Sequence, residues 1–397
     1  MMHSIYTFVI KMIMNKLWLK LIDRLHILYS LWGILFYKRR YKNIFIIGVT
    51  GTDGKSSTVV LTARLLRKSG IKTAHYSSIS INDGEDEVMN VYKMTTPGRA
   101  GLHKFLAKSA KNNVTHAVVE ITSEGIKQWR HLGIKFNTLV YTNITPEHIE
   151  RHGSFVNYKQ TKLSLLKSLK NTSSDFVVWN GLDKELISEF ELFNKYKNYK
   201  LQTSANSINS ENPFIDINYQ LAKLVTDKLG VVVNLTEAEK QLPGRFEYYK
   251  GSPSVLIDYA HTPNALSICL QSARKLCSGR LIHVFGAAGG GRDTWKRPLL
   301  AKISEQYADV HILTEENSFD EPVIKILNDI KAGFSADAEV YMDLLREEAI
   351  KRAFKMAKPK DLIVCTAKGS ETVIAGPRRS KRLYNEREFI KLCLNQK

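Results

Sequence analysis

The chain has 397 residues, enough for two or three domains with separate cores, and its 44% hydrophobic and 24% charged content excludes a disordered polypeptide. A net charge of +19 favours anionic partners, among which nucleotides, phosphorylated substrates, anionic lipid and nucleic acid all qualify. The four cysteines, Cys269, Cys277, Cys365 and Cys393, have no metal-ligand spacing and read as reduced packing thiols of a cytoplasmic protein.

Residues 1–43 form the first expected unit, an apolar and basic helical segment. Between Ile5 and Tyr37 the apolar run is interrupted by Lys11, Lys16, Lys20, Asp23 and Arg24, so it never reaches the roughly 20 residues of a membrane span. Lys11, Asn15, Lys20, Asp23 and Arg24 put a polar stripe on an otherwise apolar helix. Such a helix can pack on the main body or lie on a membrane surface, where Lys38-Arg39-Arg40 and Lys42 meet anionic headgroups. Peripheral contact at the inner membrane face through residues 5–42 is therefore one reading. A secretory signal is the weaker one, because no small-residue cleavage site follows.

The second unit, residues 44–243, opens on an apolar strand that runs into Gly51-Thr-Asp-Gly-Lys-Ser56. Glycines let backbone amides close around phosphate oxygens, Lys55 can reach the β- and γ-phosphates, and Ser56 can ligate Mg²⁺. Val49 stands where the common P-loop pattern has glycine, so the match is to a variant of it. Helices are expected over Val59–Ser69, Leu102–Asn112 and Tyr158–Leu169, and strands over Thr73–Ile81, His116–Ile121 and Thr138–Thr142. This alternation predicts a doubly wound, largely parallel α/β sheet with ligands at the strand C-termini. Polar clusters lie at those ends, in Glu120-Ile-Thr-Ser-Glu124 and Thr142-Asn-Ile-Thr-Pro-Glu-His148.

The third unit, residues 244–397, repeats a Rossmann-like alternation. Strands are expected at Ser254–Tyr259, Leu281–Phe285, Val310–Thr314 and Asp361–Thr366, with helices over Ala265–Leu276 and from Lys296-Arg-Pro298 onward. The run Gly286-Ala-Ala-Gly-Gly-Gly-Arg-Asp293 lacks the spacing of a dinucleotide fingerprint, which argues against NAD. No aromatic and basic stripe of a nucleic-acid module is present, and no nucleic-acid partner is expected.

The ordered motifs Thr50-Gly-Thr-Asp-Gly-Lys-Ser56, Thr95-Thr-Pro97, Thr142-Asn-Ile-Thr-Pro-Glu-His148, Asn157-Tyr-Lys-Gln-Thr-Lys162, Asp258-Tyr-Ala-His-Thr-Pro263, Gly290-Gly-Arg-Asp293 and Lys368-Gly-Ser-Glu371 resemble those of the Mur ligases, over about residues 44 to 397. The resemblance is strongest to the branch that forms the muramoyl tripeptide, with folylpolyglutamate synthetases as the alternative within the superfamily and a nucleic-acid-dependent P-loop ATPase as the alternative outside it. It implies a monomeric, ATP-dependent ligase joining an amino acid to a muramoyl-peptide-like carboxylate through an acyl phosphate. A carboxylate beside a triphosphate is repelled, so two Mg²⁺ ions and Lys55 are expected to neutralise and align the groups.

By the same resemblance Lys55, Glu120, His148 and Lys162 are the catalytic residues. Ser56, Glu120, His148 and Lys162 are the metal ligands, the last as a carbamate. ATP falls to Thr52, Asp53, Gly54, Lys55, Ser56 and Ser57 of the loop, to Asn218 near the adenine, and to Arg245, Asp258, His261 and Arg292 across the domain boundary. Thr95, Thr96, Ser123 and Arg130 match positions near the muramoyl peptide. Arg297 and Glu371 resemble a carboxylate clamp and an ammonium partner for the amino acid, with Glu316 and Asn317 beside them.

Three departures from the family pattern change expectations. Only about forty residues precede the P-loop where the family carries a uridine-nucleotide domain, so the acceptor is expected to be held differently or carried differently. Diaminopimelate-adding enzymes read Asp-Asn-Pro-Arg where this chain reads Glu316-Asn-Ser-Phe319, which weakens diaminopimelate and leaves lysine or another amino acid. Glu124 replaces a histidine common in the family.

Overall fold

The computed structural model describes residues 26–91, 95–191, 197–201 and 213–395, so the polar stripe expected within residues 5–25 lies outside the described residues. The first sheet contains β1 (Phe45–Thr50), β2 (Thr73–Tyr76), β3 (Ser80–Asn82), β4 (Glu87–Met89), β5 (His116–Glu120), β6 (Thr138–Tyr141), β7 (Phe176–Asn180) and β8 (Lys197–Leu201). Their order is β4-β3-β2-β5-β1-β6-β7-β8, with parallel pairing from β2 to β8 and an antiparallel hairpin edge at β2-β3-β4. Alternate side chains of the central strands enter opposite cores: Ile46, Ala117, Val119, Leu139 and Tyr141 on one face, Ile47, Val49, Val118 and Val140 on the other. Both faces are therefore covered, as a parallel sheet requires.

Register decides where the chemistry collects. Val49 pairs with Glu120, and Thr50 with Tyr141, so the phosphate-binding turn, the end of β5 and the loop after β6 emerge side by side. This is the carboxyl edge at which ligands of open α/β sheets bind.

The second sheet contains β9 (Glu247–Tyr249), β10 (Ser254–Ile257), β11 (Leu281–Phe285), β12 (Val310–Thr314), β13 (Val340–Asp343) and β14 (Leu362–Cys365), in the order β13-β12-β11-β14-β10-β9 with only β9 antiparallel. A small ribbon, β15 (Val373–Ala375) with β16 (Lys381–Leu383), follows it. Ile257 and Val284 both pair with Cys365, and Phe285 with Leu313, so the loops at 258–263, 286–293, 315–319 and 366–371 share one edge.

Two expected elements differ. The strand expected over Thr73–Ile81 is a hairpin, because the Ser77 hydroxyl accepts the amides of Ile79 and Ser80 at 3.1 Å and turns the chain. The helix expected over Tyr158–Leu169 is α-helical only over Phe155–Leu163 and tightens into a 3₁₀ turn at Ser164–Ser168, which buries Leu165 and Leu166. The segment before β1 is helical over residues 26–37 and packs on the first domain: the buried Ser30 hydroxyl donates to the Trp129 carbonyl at 2.8 Å.

Candidate active site

The phosphate-binding turn is shaped by its neighbours. The Asn143 side-chain oxygen accepts the amides of Thr52 at 3.1 Å and Asp53 at 2.8 Å, and the Thr142 hydroxyl donates to the Asp53 carbonyl at 2.6 Å. Gly54, at φ +79°, turns the chain into the helix Lys55–Lys68, so the first-turn amides and the positive helix end face the cleft. Lys55 Nζ donates to the Thr52 carbonyl at 2.7 Å. Glu120, at the end of β5, accepts the Ser56 hydroxyl at 2.8 Å and the Ser78 amide at 3.0 Å on one oxygen. Asn218 faces the turn: its side-chain oxygen accepts the Thr58 hydroxyl at 3.3 Å, while its amide nitrogen is buried without a partner among the described residues.

Residues of the third unit, 244–397, close over the turn and the loop after β6 through polar contacts. Thr262 donates to Asp53 at 3.0 Å, Lys296 to Glu147 at 2.6 Å, and the two Asp293 oxygens accept the amides of His148 at 2.8 Å and Ile149 at 3.1 Å. Burial raises the Asp53 carboxyl above its ordinary range against the pull of Lys55. Burial likewise pushes Glu147 up to about 7 despite Lys296. The imidazole of His148 is held down to about 3, chiefly by burial and by the cations of Lys296, Lys162 and Lys55. Ligand atoms of Glu147, His148 and Asp293 lie within 4.8 Å of one another. A neutral imidazole among carboxylates has the lone pair a divalent cation needs.

The far wall comes from the second sheet. Burial raises the Asp258 carboxyl, and it accepts the amides of Phe246 and Ala260, each at 2.7 Å. Arg245 lies over the Tyr259 ring at 4.2 Å. His261 Nδ1 lies 2.9 Å from the Tyr259 carbonyl, and burial holds the ring at about 3. Asn317 donates to Glu316 at 2.9 Å and to Glu371 at 3.0 Å, while Lys368, fully buried, donates to Glu371 at 2.5 Å and to the Val373 carbonyl at 2.8 Å. Burial and the neighbouring Glu371 raise the Glu316 carboxyl. At the rim the Arg292 guanidinium stacks on the Phe319 ring at 4.6 Å.

On the remaining side, Arg130 donates to the Thr96 carbonyl at 2.6 Å and to the Gln128 side chain. The Thr96 hydroxyl bridges the Glu120 carbonyl at 3.0 Å and the Thr122 amide at 2.9 Å, and Thr95 and Ser123 lie beside it in the cleft wall. Glu124, in the histidine's place, pairs with Arg151 at 2.9 Å.

These walls enclose one cleft of about 910 Å³ between the domains. Every site residue expected from the sequence lines it except Lys162 and Arg297. Arg297 is a correction. Its guanidinium is fully buried and taken up by Glu321 at 2.8 Å, Asp329 at 2.7 Å and the Ala288 carbonyl at 3.1 Å, so it braces the glycine-rich loop and cannot clamp a carboxylate. Lys162 lies behind the turn with Nζ on the Gly51 carbonyl at 2.5 Å, and burial, reinforced by Lys55, drives its pKa well below that of a free lysine. Sequence reasoning missed Asn143, Glu147 and Lys296 as site residues, and gave no specific role to Asp293. Each stands inside a quoted motif, but its role depends on contacts with residues about 90 to 150 positions away.

Residues 49–249 match the Mur ligase middle domain, and residues 244–369 match the Mur ligase glutamate ligase domain. The chain belongs to the Mur ligase family. This Mur ligase is 33% identical over 401 residues to the UDP-N-acetylmuramyl-tripeptide synthetase of Borreliella afzelii (strain PKo), a match that spans 90% of this chain and 78% of that protein. It is 32% identical over 367 residues to the UDP-N-acetylmuramoyl-L-alanyl-D-glutamate--2,6-diaminopimelate ligase of Aquifex aeolicus (strain VF5), over 85% of this chain and 74% of the other. Its fold is similar to that of Mycobacterium tuberculosis folylpolyglutamate synthase complexed with ADP, with a TM-score of 0.67 at 16% identity over 85% and 91% of the two chains. The Mur ligase described here is thus an ATP-dependent ligase of the acid and amino-acid class.

Proposed function

We propose that this Mur ligase joins an amino acid lacking a distal carboxylate, with lysine as the first candidate, to the carboxylate of a muramoyl-peptide acceptor. The acceptor carboxylate attacks the γ-phosphate of ATP to give an acyl phosphate and ADP. The incoming amine then attacks the acyl carbon, and phosphate leaves.

The chain's own groups fit these steps. Lys55 and the first-turn amides hold the β- and γ-phosphates, and Asn218, Arg245, Asp258, His261 and Arg292 face the rest of the nucleotide. Ser56 and Glu120 offer hard oxygen donors suited to Mg²⁺, and His148 offers a neutral nitrogen for a second ion. Mg²⁺ bound there would offset phosphate charge and align the reacting oxygens. Burial lowers the pKa of Lys162 and so favours its neutral amine, the form that takes up carbon dioxide, and a carbamate there would supply anionic charge behind the turn. Thr95, Thr96, Ser123 and Arg130 orient the acceptor, and Glu316, Asn317 and Glu371 receive the amino acid's ammonium group. Phe319 supports the choice of amino acid, because it puts a ring, stacked under Arg292, at the position of an arginine in diaminopimelate-adding enzymes.

One observation carries this reading. The phosphate turn with its Ser56–Glu120 pair and the Glu316–Asn317–Glu371 cluster come from different domains yet line the same cleft. The test is an ATP-dependent ligation screen that crosses candidate amino acids with UDP-linked and lipid-linked muramoyl dipeptides. Phosphate release that requires both an acceptor and an amino acid is expected. ATP hydrolysis independent of both would overturn the proposal.

A further inference from the structure

The helix over residues 26–37 is apolar on two faces, and the described residues cover only one of them. On the inner face Ser30 is buried against Trp129, Gly33 packs so closely that a Cβ there would stand 2.7 Å from the His103 ring, and Ile34 reaches Gly133. The chain after the helix is pinned by Tyr41, whose hydroxyl lies 2.6 Å from His103 Nδ1. On the outer face Leu28, Leu31, Trp32, Leu35 and Phe36 recur at helical spacing and are between 49% and 76% exposed. The rings of Trp32 and Phe36 lie 4.6 Å apart, so the aromatic part of this face is a contiguous patch. Lys38, Arg39, Arg40 and Lys42 follow at once, all exposed.

We propose that this helix docks the ligase in plane on an anionic lipid bilayer, its outer face entering the headgroup and acyl boundary while the four cations meet lipid phosphates. Leucine, tryptophan and phenylalanine beside a basic cluster are what an interfacial helix presents. Among the described residues no helix is long and apolar enough to cross a membrane. Charge separates this occupant from a second copy of the chain. Pairing two outer faces would bring two sets of Lys38, Arg39, Arg40 and Lys42 together in a protein of net charge +19, whereas a lipid surface supplies the opposite sign.

The experiment is flotation of the full chain with vesicles of phosphatidylglycerol mixed with phosphatidylcholine, against phosphatidylcholine alone, at low and high salt. Binding to the anionic vesicles, weakened by salt, is expected. A triple variant Lys38→Gln, Arg39→Gln, Arg40→Gln should lose about a hundredfold in partition, roughly fivefold per cation removed. Trp32→Glu with Leu35→Glu should abolish flotation, with ATP-dependent ligation in solution unchanged because neither residue lines the cleft. Retained ligation also shows that the variant has folded. Equal binding to neutral vesicles, flotation unchanged in both variants, or a dimer that the Trp32→Glu and Leu35→Glu changes convert to monomer would each overturn the proposal.

Discussion

Replacing Gly54 by alanine is the sharpest test of how the phosphate turn works. Gly54 adopts φ +79°, and a Cβ there would stand 2.2 Å from the Asn218 side-chain oxygen. A non-glycine residue in the left-handed region costs roughly 1–2 kcal/mol, and forcing a methyl into a filled site costs about 1–3 kcal/mol more. Gly70 is the control, because it has φ +87° with nothing within 4 Å of its would-be Cβ, so Gly70→Ala meets only the backbone cost. Gly54→Ala should therefore destabilise the protein by about 1–3 kcal/mol beyond Gly70→Ala in urea unfolding. Asn218→Ala in the same chain should restore most of that difference as a coupling energy. Calorimetry with a non-hydrolysable ATP analogue should show at least about tenfold weaker binding for Gly54→Ala, since the helix amides are displaced, and none for Gly70→Ala. Equal stability of the two variants, or unchanged nucleotide affinity in Gly54→Ala, would refute the account.

Other outcomes follow from the same geometry. Lys55→Ala and His148→Ala should each lower ligation by about a hundredfold or more, with unfolding curves close to wild type, because each removes a group needed around the reacting phosphate; near-normal turnover counts against the assigned site. Carbon-13 NMR with labelled bicarbonate should report a carbamate on Lys162 that vanishes in Lys162→Ala, and an unmodified amine in the metal- and nucleotide-loaded enzyme would exclude it. Burial holds His103 and His131 at about 4. The unfolded chain takes up protons from pH about 6.5 downward while these rings stay neutral, so stability should fall between pH 6.5 and 4 by at most about 3 kcal/mol per histidine. Unfolding of His103→Gln across that range should show a shallower slope, and an identical pH dependence would remove His103 from the account. Competition between lysine and meso-diaminopimelate, read as a ratio of kcat/KM values, should favour lysine, since Phe319 itself offers no charge to pair with a second carboxylate. Arg292 and Lys381 also line the cleft, so a preference for diaminopimelate would mean that one of them serves in place of the absent arginine.

What the sequence determined by itself is local. Strands Leu281–Phe285 and Val310–Thr314 are legible to the residue because each run is five residues long, too short for a buried helix, and is bounded by polar or glycine turns. The phosphate turn is legible for a related reason, since glycine, lysine and serine at fixed offsets after a strand specify a backbone conformation and its ligand together. Tertiary structure alone decided the partnerships. Arg297 reads as a substrate clamp until its buried bidentate pairing with Glu321 is seen, and Glu147 and Lys296 read as ordinary charged residues until domain closure joins them. A charged side chain can find its counter-charge anywhere in the chain. Neither periodicity nor motif spacing encodes that choice, which is fixed only when packing removes water and leaves each buried charge with the partners within reach.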